Sequence, residues 1–253
     1  MNPSQTVEQL TAFVKRAFQE AGFIRAVIAL SGGVDSATSC ALTVRAIGKE
    51  NVFTVLLPYG SLDEQGAVDA KKVIEWLHMP QKNTTVVDIK SLVDPVISID
   101  PAMDNVRRGN IMARMRMIVL FDEAKKRNAL VVGTENKSEH LLGYYTRFGD
   151  EASDIEPLRN FYKTEVLQLA RFLGVPEPII SKKPTAGLWE GQTDEGELGF
   201  SYKNADEILH QLYDNKKSTE DIIASGFDRM LVEKVETRMR SNAFKHRLPL
   251  VSE

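Results

Sequence analysis

Ser31-Gly32-Gly33-Val34-Asp35-Ser36 follows directly on the apolar run RAVIAL (25–30) and precedes a segment with helical character. Two adjacent glycines permit positive φ and close approach of backbone to an anion. The N–H groups of such a turn, with those of the helix start behind it, make a concave positive site for phosphate oxygens. The hydroxyls of Ser31 and Ser36 can donate to the same oxygens. Asp35 would repel a bare phosphate, so its presence calls for a magnesium ion between carboxylate and phosphates. The alternative is a plain turn from strand to helix in which Asp35 or Ser36 caps the helix. Gly-Gly alone would favour that alternative, whereas the whole hexamer behind a strand favours phosphate. The spacing matches neither G-x-x-x-x-G-K-[ST] nor G-x-G-x-x-G, so the phosphate chemistry of those loops is not implied.

The elements that must position this loop follow from periodicity. Val7, Leu10, Phe13, Val14, Ala17, Phe18 and Ala21 recur at helical spacing; Thr6 with Gln9 could form a capping box, and Gly22 ends the helix. Strands are expected at 25–30, 51–58, 83–89 and 129–134, with helices at 37–47, 64–77 and 105–127 and another from near Asn136. Short strands alternating with helices predict an α/β fold, a doubly wound parallel sheet flanked by helices. Ligands of such sheets bind at the carboxyl ends of the strands, where both SGGVDS and GTENKSE (133–139) fall. Beyond residue 150 the pattern becomes helical, with KTEVLQLARFLG (163–174) and shorter helices within 202–241. The stretch 182–199 has no period, and unstructured loops of that length in compact domains are usually functional or disordered. Leu188 and Trp189 within it favour function. With no linker in view, residues 1–253 read as one domain, a nucleotide-binding part over about 1–150 and a mostly helical part over about 151–253.

Of the residues, 43% are hydrophobic and 26% charged, ample for a core, and the net charge of −3 lacks the basic field of a general nucleic-acid binder. No apolar run could cross a bilayer, and MNPSQTVEQL lacks the layout of a signal peptide. Cys40, the only cysteine, can form neither an intramolecular disulfide nor a cysteine cage for metal. A cytoplasmic enzyme without membrane or nucleic-acid partners is the expectation.

SGGVDS resembles the loop of the ATP pyrophosphatase superfamily, with its adenine-nucleotide alpha-hydrolase-like fold, whose members split ATP between the α and β phosphates. GNIMARMRM (109–117), GTENKSEHLLGYYTRFGDEASDIEPL (133–158), FYKTEVLQLA (161–170) and KPTAGLWEGQTDE (183–195) together resemble ammonia-dependent NAD synthetases. The similarity runs to about Pro249, almost the whole chain.

The resemblance implies that ATP and magnesium activate the carboxylate of deamido-NAD as an adenylate, which ammonia then converts to NAD. It implies Asp35 and Glu139 as magnesium ligands, and Thr134, Lys163 and Thr185, with residues 31–36, as ATP contacts. Taken alone, Glu139 would be a solvated helical carboxylate. Lysine at a helix start is unfavourable for the dipole, which weakens a purely structural reading of Lys163. Arg114, Tyr144, Arg147, Asp154 and Lys245 match contacts to deamido-NAD, and Asp150 stands near the ammonia entry as a general base, though it is also a natural turn residue. A homodimer with the substrate across its boundary is implied as well.

Three departures stand out. Arg147 replaces a common lysine, Leu56 and Leu62 replace polar residues near the adenosine, and Phe244 replaces the histidine before Lys245. His246 could compensate, or be an ordinary surface histidine. Two rivals remain: a tRNA-modifying relative, which the lone cysteine and acidic balance disfavour, and a non-catalytic nucleotide-binding module.

Overall fold

The computed structural model describes residues 1–62 and 64–247; Leu248 and Pro249, near the end of the expected match, lie outside the described residues. Four strands, β1 (Ala26–Ala29), β2 (Val52–Leu56), β3 (Thr84–Val86) and β4 (Leu130–Val131), form one parallel sheet in the order β3-β2-β1-β4. The ladders are shorter at both ends than the apolar runs that signal them. Past β4, Val132 makes an isolated parallel bridge to Ile155.

Both faces of the sheet are covered. Before β1 lies α1 (Pro3–Ala21), and between the strands run α2 (Val34–Ile47), α3 (Glu64–Trp76), α4 (Lys90–Ile97) and α5 (Asn105–Arg127). Successive side chains of a strand point to opposite faces. Ala26 and Ile28 of β1 therefore join Val52 and Leu56 of β2 in a cluster with α1, α2 and α3, while Val27 and Val55 join Met112 and Leu120 of α5. The doubly wound expectation is met. Pro95 interrupts the helical pattern of α4, which is why periodicity does not flag it.

Two helix starts differ from the sequence reading. Asn2, and not a Thr6/Gln9 box, caps α1: its Oδ1 accepts from the Gln5 N–H at 3.4 Å, and the Thr6 hydroxyl donates to the Asn2 carbonyl at 2.9 Å. Pro3 at the first helical position suits this earlier start. The second, α2, begins at Val34 instead of Ala37, with Gly33 as its extended cap. Val34, Asp35 and Ser36 are thus the first turn of the helix.

The remainder is helical: α6 (Lys137–Leu142), α7 (Lys163–Leu173), α8 (Glu177–Ile180), α9 (Asp194–Leu198), α10 (Tyr202–Leu209), α11 (Thr219–Ala224) and α12 (Arg229–Asn242). A π-helical turn at His210–Asp214 follows α10. Leu141 and Leu142 of α6 pack with Ile208, Ile222 and Val232 in a second apolar cluster, so α6 spans from the sheet's edge into the helical part. Among the described residues no helix is long and apolar enough to cross a membrane.

Candidate active site

The turn between β1 and α2 is held by its own hydroxyls. Ser36 Oγ donates to the Gly33 carbonyl at 3.0 Å and lies 3.2 Å from Ser31 Oγ, which accepts the Gly33 N–H at 3.3 Å. The first-turn N–H groups of α2, which have no partner within a helix, point past this turn. Gly32 adopts φ +79°, and a Cβ there would sit 2.3 Å from the Gly66 carbonyl oxygen and 2.9 Å from Asp69 Cβ. Glycine is thus required twice, for conformation and for contact with α3. Gly32→Ala is expected to lose about 2 kcal/mol or more of stability, read by urea denaturation. An unchanged midpoint would show that the turn can open.

Three elements bring charge to this turn. Asp35 of α2 makes an ion pair through Oδ2 with the Lys163 ammonium and accepts from Asn136 Nδ2 through Oδ1 at 3.0 Å. The same ammonium lies 3.2 Å from Glu139 Oε1. Asn136 caps α6, taking the Glu139 N–H at 3.0 Å, so the residue that starts the helix also steadies Asp35. Lys163, the first residue of α7, is only 3% exposed and lies over the Tyr202 ring at 5.3 Å. Burial pulls its pKa down, but Asp35 and Glu139 outweigh that and hold it above the usual lysine range. Burial pushes the Glu139 carboxyl up, and the Lys163 ammonium beside it pulls the other way, toward the carboxylate.

Two carboxylates that reach one ammonium can also reach one small cation, and their all-oxygen donor set suits a hard ion. Among the described residues no three His, Cys, Asp or Glu side chains are grouped to hold a metal. A divalent ion at Asp35 and Glu139 would therefore complete its shell with substrate oxygens and water, as magnesium commonly does. The residues fit that ion.

A cavity of about 620 Å³ opens over this cluster, within the range of small-molecule sites. Residues 31 and 33–36 line it with Thr134 beyond β4, Glu139 of α6 and Lys163 of α7. One wall is a stripe of α5, where Val106, Asn110, Ala113, Met117 and Leu120 recur at helical spacing, flanked by Arg116. Arg116 Nε donates to the Leu57 carbonyl at 3.1 Å. Leu56 gives an apolar surface, whereas Leu62 is exposed and away from the cavity.

The stretch 182–199 folds over the opening. Thr185 Oγ1 donates to the Gln192 carbonyl at 2.8 Å, the Leu188 N–H to Gln192 Oε1 at 2.7 Å, and Lys182 reaches Asp69 at 3.1 Å. Leu188 rests on Gly109, where a Cβ would come within 2.8 Å of its Cδ1. Thr193 caps α9, so the segment is less irregular than its sequence suggests. Asp194 of α9 accepts from the hydroxyls of Tyr144 and Tyr202, each at 3.2 Å, and lines the cavity with both.

Thr185, Tyr144, Asp150 and Lys245 also reach the cavity. Asp150 Oδ1 accepts the Thr146 N–H at 2.9 Å, and Thr146 Oγ1 donates to Asn110 at 2.8 Å. Desolvation by the surrounding protein raises the Asp150 carboxyl above its usual range, against the hydrogen bonds from Thr146 and the charge of Arg116, which lower it. Lys245 donates to the carbonyls of Gly143 and Tyr145, at 2.7 and 2.9 Å. Gly32, Arg114, Arg147 and Asp154 do not line the cavity. Arg114 is exposed and donates to the Arg147 carbonyl, Arg147 Nη2 donates to the Arg247 carbonyl at 2.6 Å, and Asp154 accepts the Val131 N–H at 2.7 Å. Phe244 is exposed, while His246 packs its ring 4.1 Å from that of His140 and pairs through Nδ1 with the Tyr145 hydroxyl.

Sequence reasoning missed Asn110, Arg116, Asp194 and Tyr202. The first two lie within the quoted GNIMARMRM segment, and Asp194 lies within KPTAGLWEGQTDE. Only their phase in the fold reveals that they face the cavity.

Residues 6–249 match the sequence profile of the family described as NAD synthase. An NH3-dependent NAD+ synthetase of Thermococcus kodakarensis is 46% identical over 246 residues, covering 96% of this chain and 95% of that protein. The solved NH3-dependent NAD synthetase of Campylobacter jejuni is 32% identical and superimposes with a TM-score of 0.84 over 100% of both chains. A structure described as an NMN synthetase from Francisella tularensis gives 31% identity and a TM-score of 0.87, over 100% of this chain and 99% of that one. With its phosphate turn, its converging carboxylates and this full-length similarity, the chain belongs to the NAD synthase family.

Proposed function

We propose that the cavity over α2, α6 and α7 is where this ligase forms NAD from deamido-NAD, ammonia and ATP through an adenylate. The overall reaction goes with the family. The observation that carries the assignment to this cavity is the meeting of Asp35, Glu139 and Lys163, from three separate helices, beside the start of α2.

In the first half-reaction a carboxylate oxygen of the nicotinate attacks the α-phosphorus. The bond from that phosphorus to the bridging oxygen breaks, and pyrophosphate leaves. Residues 31–36 cradle the phosphates, with Thr134 and Thr185 beside them. Lys163, kept protonated by its carboxylates, meets the charge that grows on the leaving group. A magnesium ion held by Asp35 and Glu139 would neutralise phosphate charge there. In the second half-reaction ammonia nitrogen attacks the acyl carbon, the carbon–oxygen bond to AMP breaks, and Asp150 takes a proton from the nitrogen. Tyr144 and Lys245 orient the deamido-NAD.

Arg114, Arg147 and Asp154 lie outside the cavity of one chain, and their substrate role goes with a homodimer whose second copy brings them to the dinucleotide. Exposed Ile118, one turn from Arg114 on α5, supports that reading. A cytoplasmic setting completes the proposal and suits a lone, buried, unpaired Cys40.

Lys163→Ala is expected to lower the rate at saturating ATP by at least about tenfold. Binding of deamido-NAD without ATP should be unchanged, as read by calorimetry. Loss of dinucleotide binding in this variant would move the lysine to the other substrate.

The resemblance to the Francisella tularensis structure favours a second reading, in which the mononucleotide is the acyl substrate. Comparing kcat/KM for deamidated NAD and deamidated NMN separates the two.

A further inference from the structure

Asp206 does not line the cavity, yet it touches both elements that carry the site. It is 4% exposed, and the hydrogen bonds of its side chain run to the starts of α6 and α7. Ser138 Oγ donates to Asp206 Oδ1 at 2.5 Å and accepts the Lys163 N–H at 2.8 Å. Asp206 Oδ2 accepts from Thr164 twice, from its N–H at 2.9 Å and its hydroxyl at 2.8 Å. Ser138 is the neighbour of Glu139, and Thr164 that of Lys163.

The N–H groups of Lys163 and Thr164 belong to the first turn of α7, where a helix supplies no partner of its own. A carboxylate is the acceptor best suited to that end of the dipole. It is also the only side-chain type here that can receive three donors while holding none. The Lys137 N–H donates to the Phe161 carbonyl at 2.8 Å, adding a backbone tie between the same two helix starts. One turn before Asp206 on α10, Tyr202 presents its ring to the Lys163 ammonium. The face of α10 bearing residues 202 and 206 therefore holds Lys163 at both ends, the ammonium directly by the Tyr202 ring and the backbone indirectly, from Asp206 through Ser138 and Thr164.

We propose that Asp206 is a positioning residue for the ligase reaction, clamping the start of α6 to the start of α7. The clamp fixes Glu139 and Lys163 at the separation at which the Lys163 ammonium meets both Glu139 and Asp35. This inference rests on the reaction assigned above. Asparagine at 206 keeps size but loses the charge, and presents an NH2 group either to the Ser138 hydroxyl or to the two donors of Thr164. The clamp then loosens at the start of α6 and Glu139 is displaced from the cation, while Tyr144 and Lys245, at the other end of that helix, keep their bonds to Asp194 and to the Gly143 and Tyr145 carbonyls.

The test compares the full chain with Asp206→Asn, Ser138→Ala and the double variant. It measures kcat, KM for deamido-NAD and the magnesium concentration for half-maximal rate, with circular dichroism to count folded protein. For Asp206→Asn, kcat per folded chain should fall about tenfold or more, and half-saturation by magnesium should need about tenfold more ion. KM for deamido-NAD should stay within about twofold. Ser138→Ala should move the same two quantities in the same direction, and the double variant should be no worse than Asp206→Asn, since the residues share one network. Parent-like kcat and magnesium response with only a lower unfolding temperature would reduce Asp206 to a structural role and overturn the proposal. If Asp206→Asn does not fold, Ser138→Ala decides by the same readings. A parent chain that forms no NAD would contradict the ligase reaction itself, whereas an active parent with unaffected variants contradicts only the clamp.

Discussion

Asp35→Asn and Glu139→Gln are each expected to lower turnover by at least about a hundredfold while the chain stays folded. Both substitutions keep the shape of the side chain. Asparagine at 35 can still accept from Asn136 Nδ2, and glutamine at 139 can still complete the capping box with Asn136. What each removes is the negative charge that a divalent cation needs, and a counter-charge for the buried Lys163. The loss should deepen as magnesium is lowered, because the remaining carboxylate must hold the ion alone. Initial rates across a magnesium titration, with circular dichroism alongside, measure this. Parent rates at limiting magnesium would remove the substituted residue from the ion's surroundings.

Ammonia-free glutamine is expected to support NAD formation at less than about one hundredth of the rate seen with matched ammonium chloride. A glutamine amidase of the cysteine type needs a thiolate, in a partly exposed, electropositive setting. Cys40 offers the reverse. It is fully buried on α2 in the cluster beneath β1, and burial pushes its thiol up to about 12. Cys40→Ser should accordingly leave the choice of nitrogen donor unchanged. Since only unprotonated ammonia attacks, the rate at fixed total ammonium should climb as pH rises from neutral. Efficient turnover with purified glutamine would point to an amidase site elsewhere or to a partner subunit.

The parts of this molecule that sequence reveals are those encoded locally. Two neighbouring glycines before a serine and an aspartate define the phosphate turn, and apolar runs of five or six residues define the strands. Gly32 shows why: any side chain there would be strained by its positive φ and would press on the Gly66 carbonyl. Pairings across long separations are not encoded in that way. Asp206 meets Ser138 across 68 residues and Thr164 across 42, and nothing near Asp206 in the chain marks it. Helical phase hides a second kind of information. Arg114 and Arg116 are two residues apart, hence about 200° around α5, and flank opposite sides of its cavity stripe. Periodicity finds the stripe, but only the packing of α5 on β1 and β4 decides which flank opens to the cavity. The resemblance supplied Arg114, whereas the single chain turns Arg116 inward.

The central claim is that one cavity couples cleavage of ATP between its α and β phosphates to amide formation on deamido-NAD. The most direct measurement incubates the chain with ATP, magnesium, ammonium and deamido-NAD, then separates and counts the nucleotides. AMP, pyrophosphate and NAD should appear in equal amounts, and omission of ammonium should stop NAD. Appearance of ADP and phosphate in place of AMP and pyrophosphate, or AMP without NAD in the complete mixture, would contradict the account.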